Sequence, residues 1–176
     1  MQTIPDLAIP EVKPAIELYR GERRQKVSPR YTHARMQMRL AFLLDNWASD
    51  RGRIGTEWRF YFIEHGRARS SSLVPDIAYV SFERLAADAG DEAECPTIAP
   101  DIAIEILSPN DRAGHVRQKV ELYRFYGTRC VVLVDPQTRS ATIYDSRANT
   151  GRTVDAPGSV HIVDDLTIDL GALFDH

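Results

Sequence analysis

A chain of 176 residues, 43% hydrophobic and 27% charged, has the make-up of an ordinary globular protein and is long enough to bury a sizeable core. No apolar run approaches the roughly 20 residues of a membrane helix and the start lacks a secretory pattern, so a membrane partner is excluded and the cytoplasm is the expected location. The net charge of −3 does not advertise a nucleic-acid binder, and two distant cysteines, Cys95 and Cys130, exclude a disulfide framework and a thiolate metal site.

Residues 1–13 read as an arm, with Pro5, Pro10 and no periodicity, and 14–176 as a single domain. Ala15 to Glu22 is apolar at alternate positions, turns at Gly21, and continues as a weaker alternation from Arg23 to Val27, which predicts a hairpin. After Ser28-Pro29, Thr32 can cap a helix from His33 to Trp47 whose apolar face is Met36, Leu40, Leu43, Leu44 and Trp47. Two strands are predicted next, Trp58–Ile63 and Leu73–Val80, joined by a loop over His65 to Ser72. Pro75 cannot donate to a ladder, so it marks an edge or a bulge near a site. Residues 84–98 form an acidic excursion.

Ile102 to Leu107 is a short apolar run bounded by prolines and predicts a strand covered on both faces. A helix capped by Asn110 or Asp111 follows, with Val116, Val120 and Tyr123 on its apolar side and Gly127 as its terminator. Arg129–Asp135 and Ser140–Asp145 predict a second hairpin around the turn at 136–139. Residues 147–159 read as loop, and Val160–Val163 and Leu170–Phe174 as short terminal strands. The strand, helix, strand unit from Ile102 to Val134 implies one parallel pair in an otherwise antiparallel sheet, and the whole an α+β fold with a mixed central sheet flanked by helices.

Glu105 is the anomaly of the covered strand. Burying an ionised carboxylate without a partner costs several kcal/mol, so the group is protonated, paired with a cation, or holds a metal. An ion pair with one of the many arginines meets that need as well as a metal does. Asp76 sits in the neighbouring predicted strand, and two carboxylates on adjacent strands suit a hard cation such as Mg²⁺. Lys119, three residues after Val116 and four before Tyr123, falls on or beside the helix face that docks on the sheet. There it can orient water or offset charge on a phosphoryl group; without the two carboxylates it reads as a snorkelling surface lysine. Between Lys13 and Arg39 stand eight basic residues against Glu17 and Glu22, a segment that on charge alone reads first as a solvated surface and, if it binds a ligand, favours a polyanion over a small one.

Glu17-Leu18-Tyr19-Arg20-Gly21-Glu22, Ser28-Pro29, His33, Val74-Pro75-Asp76, Pro100-Asp101, Glu105-Ile106-Leu107-Ser108-Pro109, Lys119 with Tyr123, Tyr126-Gly127 and Val134-Asp135-Pro136 stand in the order and spacing of a known family. From about Ile16 to Phe174 the chain resembles the Uma endonuclease family of the PD-(D/E)XK nuclease superfamily. The resemblance implies a restriction endonuclease-like fold and Mg²⁺-dependent hydrolysis of phosphodiester bonds, with Mn²⁺ as a substitute ion. It implies Asp76 and Glu105 as metal ligands and Lys119 in place of the superfamily's strand lysine, where this chain has Leu107. Glu17 matches an auxiliary acid and His33 a phosphate or supporting contact. DNA is the expected partner, with Arg23, Arg24 and Arg30 as phosphate contacts and a homodimer as one way to read bases. The competing expectation is a catalytically idle member that serves as a DNA-binding or protein-interaction module. Asp101 reads as a cap or loop anchor rather than a ligand.

Overall fold

The structure, a computed structural model, describes residues 12–62, 71–148 and 150–175. The expected arm therefore lies outside the described residues but for Val12 and Lys13, as do Ile63 and most of the loop from His65 to Ser72. The first alternation forms the expected hairpin. Strands β1 (Ile16–Tyr19) and β2 (Glu22–Gln25) pair antiparallel around Arg20 and Gly21, the latter at φ 88°, a conformation that glycine takes without steric cost.

Helix α1 (Tyr31–Ala48) starts two residues before His33, so Thr32 lies inside it and Arg30 holds the cap position without a side-chain bond. Its buried stripe is Met36, Leu40, Leu44 and Ala48, with Leu43 and Trp47 partly buried beside it, the 3.6-residue face that the apolar spacing requires.

Strand β3 (Gly52–Thr56) has no counterpart in the sequence reading, because Gly-Arg-Ile-Gly-Thr carries only one large apolar residue. It is a strand because its backbone pairs along the whole of β6 (Ile77–Ser81), and a Cβ at Gly52 would stand 2.3 Å from the Val80 carbonyl oxygen.

The single strand expected at Leu73–Val80 is two. β4 (Phe60–Phe62) pairs with β5 (Ser71–Leu73), whereas β6 belongs to another sheet, and Val74-Pro75-Asp76 carries the chain across. Proline suits that joint because no ladder partner is needed there. The acidic excursion contains one helical turn, α2 (Asp91–Glu94), and is tied down by Arg53, which donates to the carbonyls of Leu85, Ala86 and Ala87.

Strand β7 (Ile102–Ile106) and β8 (Cys130–Asp135) are parallel, as expected, with α3 (Ala113–Phe125) between them in sequence. The helix starts later than Asn110 or Asp111, because the Asp111 carboxylate is taken by the Ser108 N–H at 2.7 Å and closes a local turn instead. Gly127, at φ 98°, ends it.

Strand β9 (Ser140–Asp145) completes the second hairpin, and β10 (Arg152–Asp155) pairs with it inside the segment read as loop. β11 (Ser159–Val163) and β12 (Leu166–Asp169) form a separate two-stranded sheet. Leu170–Phe174, expected as a strand, is helix α4, started by the Asp169 carboxylate, which accepts from the Ala172 N–H at 3.0 Å.

The result is the expected mixed sheet with helices: a six-stranded sheet β10-β9-β8-β7-β6-β3 with one parallel pair, beside a four-stranded sheet β2-β1-β5-β4. Period-2 alternation along β7 splits the core. Ile102, Ile104 and Ile106 pack toward α1 and α4, while Ala103 packs with Val131, Val120 and Tyr123 toward α3. Cys130 is buried in the first of these cores. Among the described residues no helix is long and apolar enough to cross a membrane.

Candidate active site

Glu105 lies between Ile104 and Ile106, so the pleat turns it to the face that α3 covers, where it is only 8% exposed. Helix α3 meets it with two side chains one turn apart. Lys119 Nζ donates to Glu105 Oε1 at 2.7 Å, and the Tyr123 hydroxyl donates to the same oxygen at 2.8 Å. Lys119 Nζ also reaches Glu17 Oε1 on β1 at 2.9 Å, and Glu17 is fixed in turn by the Val74 N–H at 2.7 Å and the Tyr19 hydroxyl at 2.9 Å. One ammonium thus holds two buried carboxylates from two different sheets.

Asp76 stands at the joint between the sheets. The register Ile77↔Ile104, continued by one residue, sets it across from Glu105. Its Oδ2 accepts from the Ile106 N–H at 2.7 Å and from His33 Nε2 at 3.1 Å, and its Oδ1 from Lys26 Nζ at 2.7 Å. Gln37, one turn after His33 on α1, donates to the Asp76 carbonyl at 2.8 Å. Asp101, as expected of an anchor, accepts from the Ser81 N–H and from Arg84, each at 2.8 Å.

These contacts set the charge states. Burial by itself would raise Asp76, but Lys26 and His33 outweigh it and hold the carboxyl well below its usual range. Burial pushes Glu105 up to about 7, and Lys119, shared with Glu17 and opposed by the nearby Asp76 charge, only partly offsets that. Burial would lower Lys119, yet Glu105 and Glu17 hold it well above the ordinary lysine value, so it stays an ammonium. Burial works against the imidazolium of His33 as well, but its bond to Asp76 raises it overall.

Glu17, Lys26, His33, Asp76, Glu105 and Lys119 line one cavity of about 310 Å³. Arg24 lines it too, stacked over the Tyr19 ring at 4.5 Å and bonded to Glu22 and Gln118. Arg23 and Arg30 are exposed and are not part of the lining. The sequence reading assigned no role to Lys26 or to the Tyr123 hydroxyl. The signal for Tyr123 was there, since a tyrosine four residues after a docking-face lysine meets the same strand residue. Lys26 carried none, because it follows a weakly alternating polar strand.

Tyr123 is fully buried, so Tyr123→Phe removes a charge-assisted bond and leaves Glu105 with one donor fewer. The expected loss is about 1–3 kcal/mol of stability, read from the urea midpoint.

A family model named Uma2, with the description "Putative restriction endonuclease", matches residues 4–171. The chain belongs to this family. In structure the Uma2 chain is similar to a crystal structure from Anabaena variabilis described as "a putative nuclease belonging to DUF820", with a TM-score of 0.83, 27% identity, and coverage of 96% of this chain and 94% of the other. No curated protein matches it. The fold is therefore nuclease-like, and the family is one of restriction endonuclease-like proteins.

Such a family implies a metal, and the donors present bear on it. Among the described residues no set of three or more histidine, cysteine, aspartate or glutamate side chains is arranged to hold an ion. Mg²⁺ commonly takes only one or two protein carboxylates and fills its remaining positions with water and substrate phosphate. Asp76 and Glu105 supply hard oxygens of that kind. Glu105 Oε2 receives none of the hydrogen bonds made among the described residues, and Asp76 Oδ1 receives only Lys26, so each has a lone pair in hand. The donor set fits.

Proposed function

We propose that this Uma2 protein is an endonuclease that hydrolyses phosphodiester bonds of DNA with Mg²⁺, for which Mn²⁺ substitutes. The observation that carries the reading is that Asp76, at the joint just before β6, and Glu105, across from it on β7, line the same cavity as a buried lysine. Asp76 Oδ1 and Glu105 Oε2 would hold the ion, whose chemistry when bound is to polarise the scissile phosphate and acidify a bound water.

Lys119 stays charged and has no lone pair, so it orients water or phosphate and does not act as a base. Two of its three N–H groups go to Glu17 and Glu105, which leaves the third for a substrate or water oxygen. Tyr123 fixes the rotamer of Glu105, and Glu17 fixes Lys119 against the first sheet; both are positioning residues. His33 orients Asp76. Arg24 at the cavity, with Arg23 and Arg30 outside it, would contact the flanking phosphates, a role suited to guanidinium geometry.

Plasmid and single-stranded DNA incubated with Mg²⁺ or Mn²⁺ should be cut by the wild type and not by Glu105→Gln. The expected loss is at least about 10²-fold in rate, the scale on which one such group contributes. Glutamine still accepts from Tyr123, so the circular dichroism spectrum should not change. Undiminished cleavage by Glu105→Gln would refute the assignment.

A second reading is a nuclease-fold module that binds DNA without cutting it, and the Lys26 ammonium already seated on Asp76 favours it. Salt-dependent DNA binding with no cleavage in either ion would establish that reading instead.

A further inference from the structure

Lys26 Nζ lies 2.7 Å from Asp76 Oδ1, 2.9 Å from Glu57 Oε1 and 3.0 Å from the Val74 carbonyl oxygen. Two carboxylates and a carbonyl form an all-oxygen cage, which is the donor set of a hard cation, and here all three ammonium protons fill it. The cage is built with some strain. Glu57 sits at φ 52°, in the left-handed region, with its N–H 3.3 Å from the Asp76 carbonyl oxygen.

The two lysines of the cavity differ in how they are held. Lys119 projects from the middle of α3 and pairs two buried carboxylates, so its departure would leave both uncompensated. Lys26 follows the last residue of β2, where the chain enters the exposed segment Val27 to Arg30, and its flexible stem lines the open cavity. Of its two carboxylate partners, Glu57 is 44% exposed and can keep the ammonium after it leaves Asp76.

We propose that Lys26 is a tethered counter-cation that competes with a divalent metal ion for Asp76, sets the metal affinity of the site, and swings off Asp76 when the ion binds. The inference rests on the metal-dependent reading of the cavity. With no ion bound, the ammonium neutralises a carboxylate that the fold buries. With an ion bound, a second cation on the same oxygen would be repelled by it. The affinity of the site for metal is therefore lower than its two carboxylates alone would give.

Calorimetric titration of Mn²⁺ into the wild type, Lys26→Met and Lys26→Gln tests this at one fixed pH. Both variants should bind at least about ten-fold more tightly than the wild type, in the usual range for coupled sites. Lys26→Gln keeps a donor for Asp76 and guards against a folding defect in Lys26→Met. The unmutated chain gives a second readout, since it has three lysines, Lys13, Lys26 and Lys119, and so three ¹³Cε signals when labelled. Mg²⁺ should shift the Lys26 signal toward that of an exposed lysine.

Equal or weaker Mn²⁺ affinity in both variants, or a Lys26 signal unmoved by saturating Mg²⁺, would overturn the proposal while the metal reading stood. No binding to wild type or variants would overturn both.

Discussion

Lys119→Met should lose about 3–5 kcal/mol of stability, the cost of removing one partner from a buried ionic cluster. The side chains of Lys119, Glu17 and Glu105 are 11%, 5% and 11% exposed, so the few waters that reach them from the cavity are a poor replacement for the missing ammonium. Methionine keeps most of the stem, which separates the lost charge from lost packing. Glu17 and Glu105 would then face each other without a cation between them, and Glu105, already hard to ionise, would take up a proton. Adding Glu105→Gln should therefore restore part of the loss, with a coupling of about 1–3 kcal/mol in a double-mutant cycle. Urea midpoints with unchanged slopes provide the measurement. A loss within about 0.5 kcal/mol, as for an ordinary surface lysine, would return Lys119 to a snorkelling role and detach it from both carboxylates.

The parts of this arrangement that could be read from the sequence are those in which a local pattern had one physical solution. A six-residue apolar run bounded by prolines reads as a covered strand, its single acid needs a proton, a cation or a metal, and Glu105 is found paired with Lys119. Lys119 itself was placed by helical spacing from Val116 and Tyr123. Pro75 marked a break near a site, but not its kind, because nothing local says that the chain leaves one sheet for another there. The strand at Gly52–Thr56 was illegible because its reason is non-local: a flat, small-residue segment pairs along the whole of β6. Leu170–Phe174 misled because four apolar residues around Gly171 fit either period, and Asp169, capping from the position before, decided it. Lys26 shows the limit most plainly. Its role depends on Glu57 and Asp76, 31 and 50 residues away, and no spacing within β2 points to either.

The stability of the metal-free protein should fall as pH rises through neutrality, the opposite of what an ordinary surface carboxylate would give. Glu105 is raised from 4.5 to about 7, so between those values the folded chain keeps a proton that the unfolded chain has lost. Stability decreases with pH wherever the native state binds more protons, and across this interval the loss approaches about 3 kcal/mol. His33 acts in the same direction. Its folded value lies above 6.5, so its bond to Asp76 contributes fully below that pH and is lost as pH rises through the raised value. Asp76 acts in the opposite direction at the acid end. Held below 3.8, it contributes above that pH and its contribution is lost as pH falls further. The optimum should therefore sit near pH 4 to 5, and urea melts in a chelator from pH 4 to 8 would locate it. Glu105→Gln should flatten the decline and leave the part due to His33. Saturating Mg²⁺ should also flatten it, because an ion on the carboxylate favours its ionised form. Stability that rises steadily from pH 5 to 8 would mean that Lys119 overrides burial and keeps Glu105 an ordinary ionised partner.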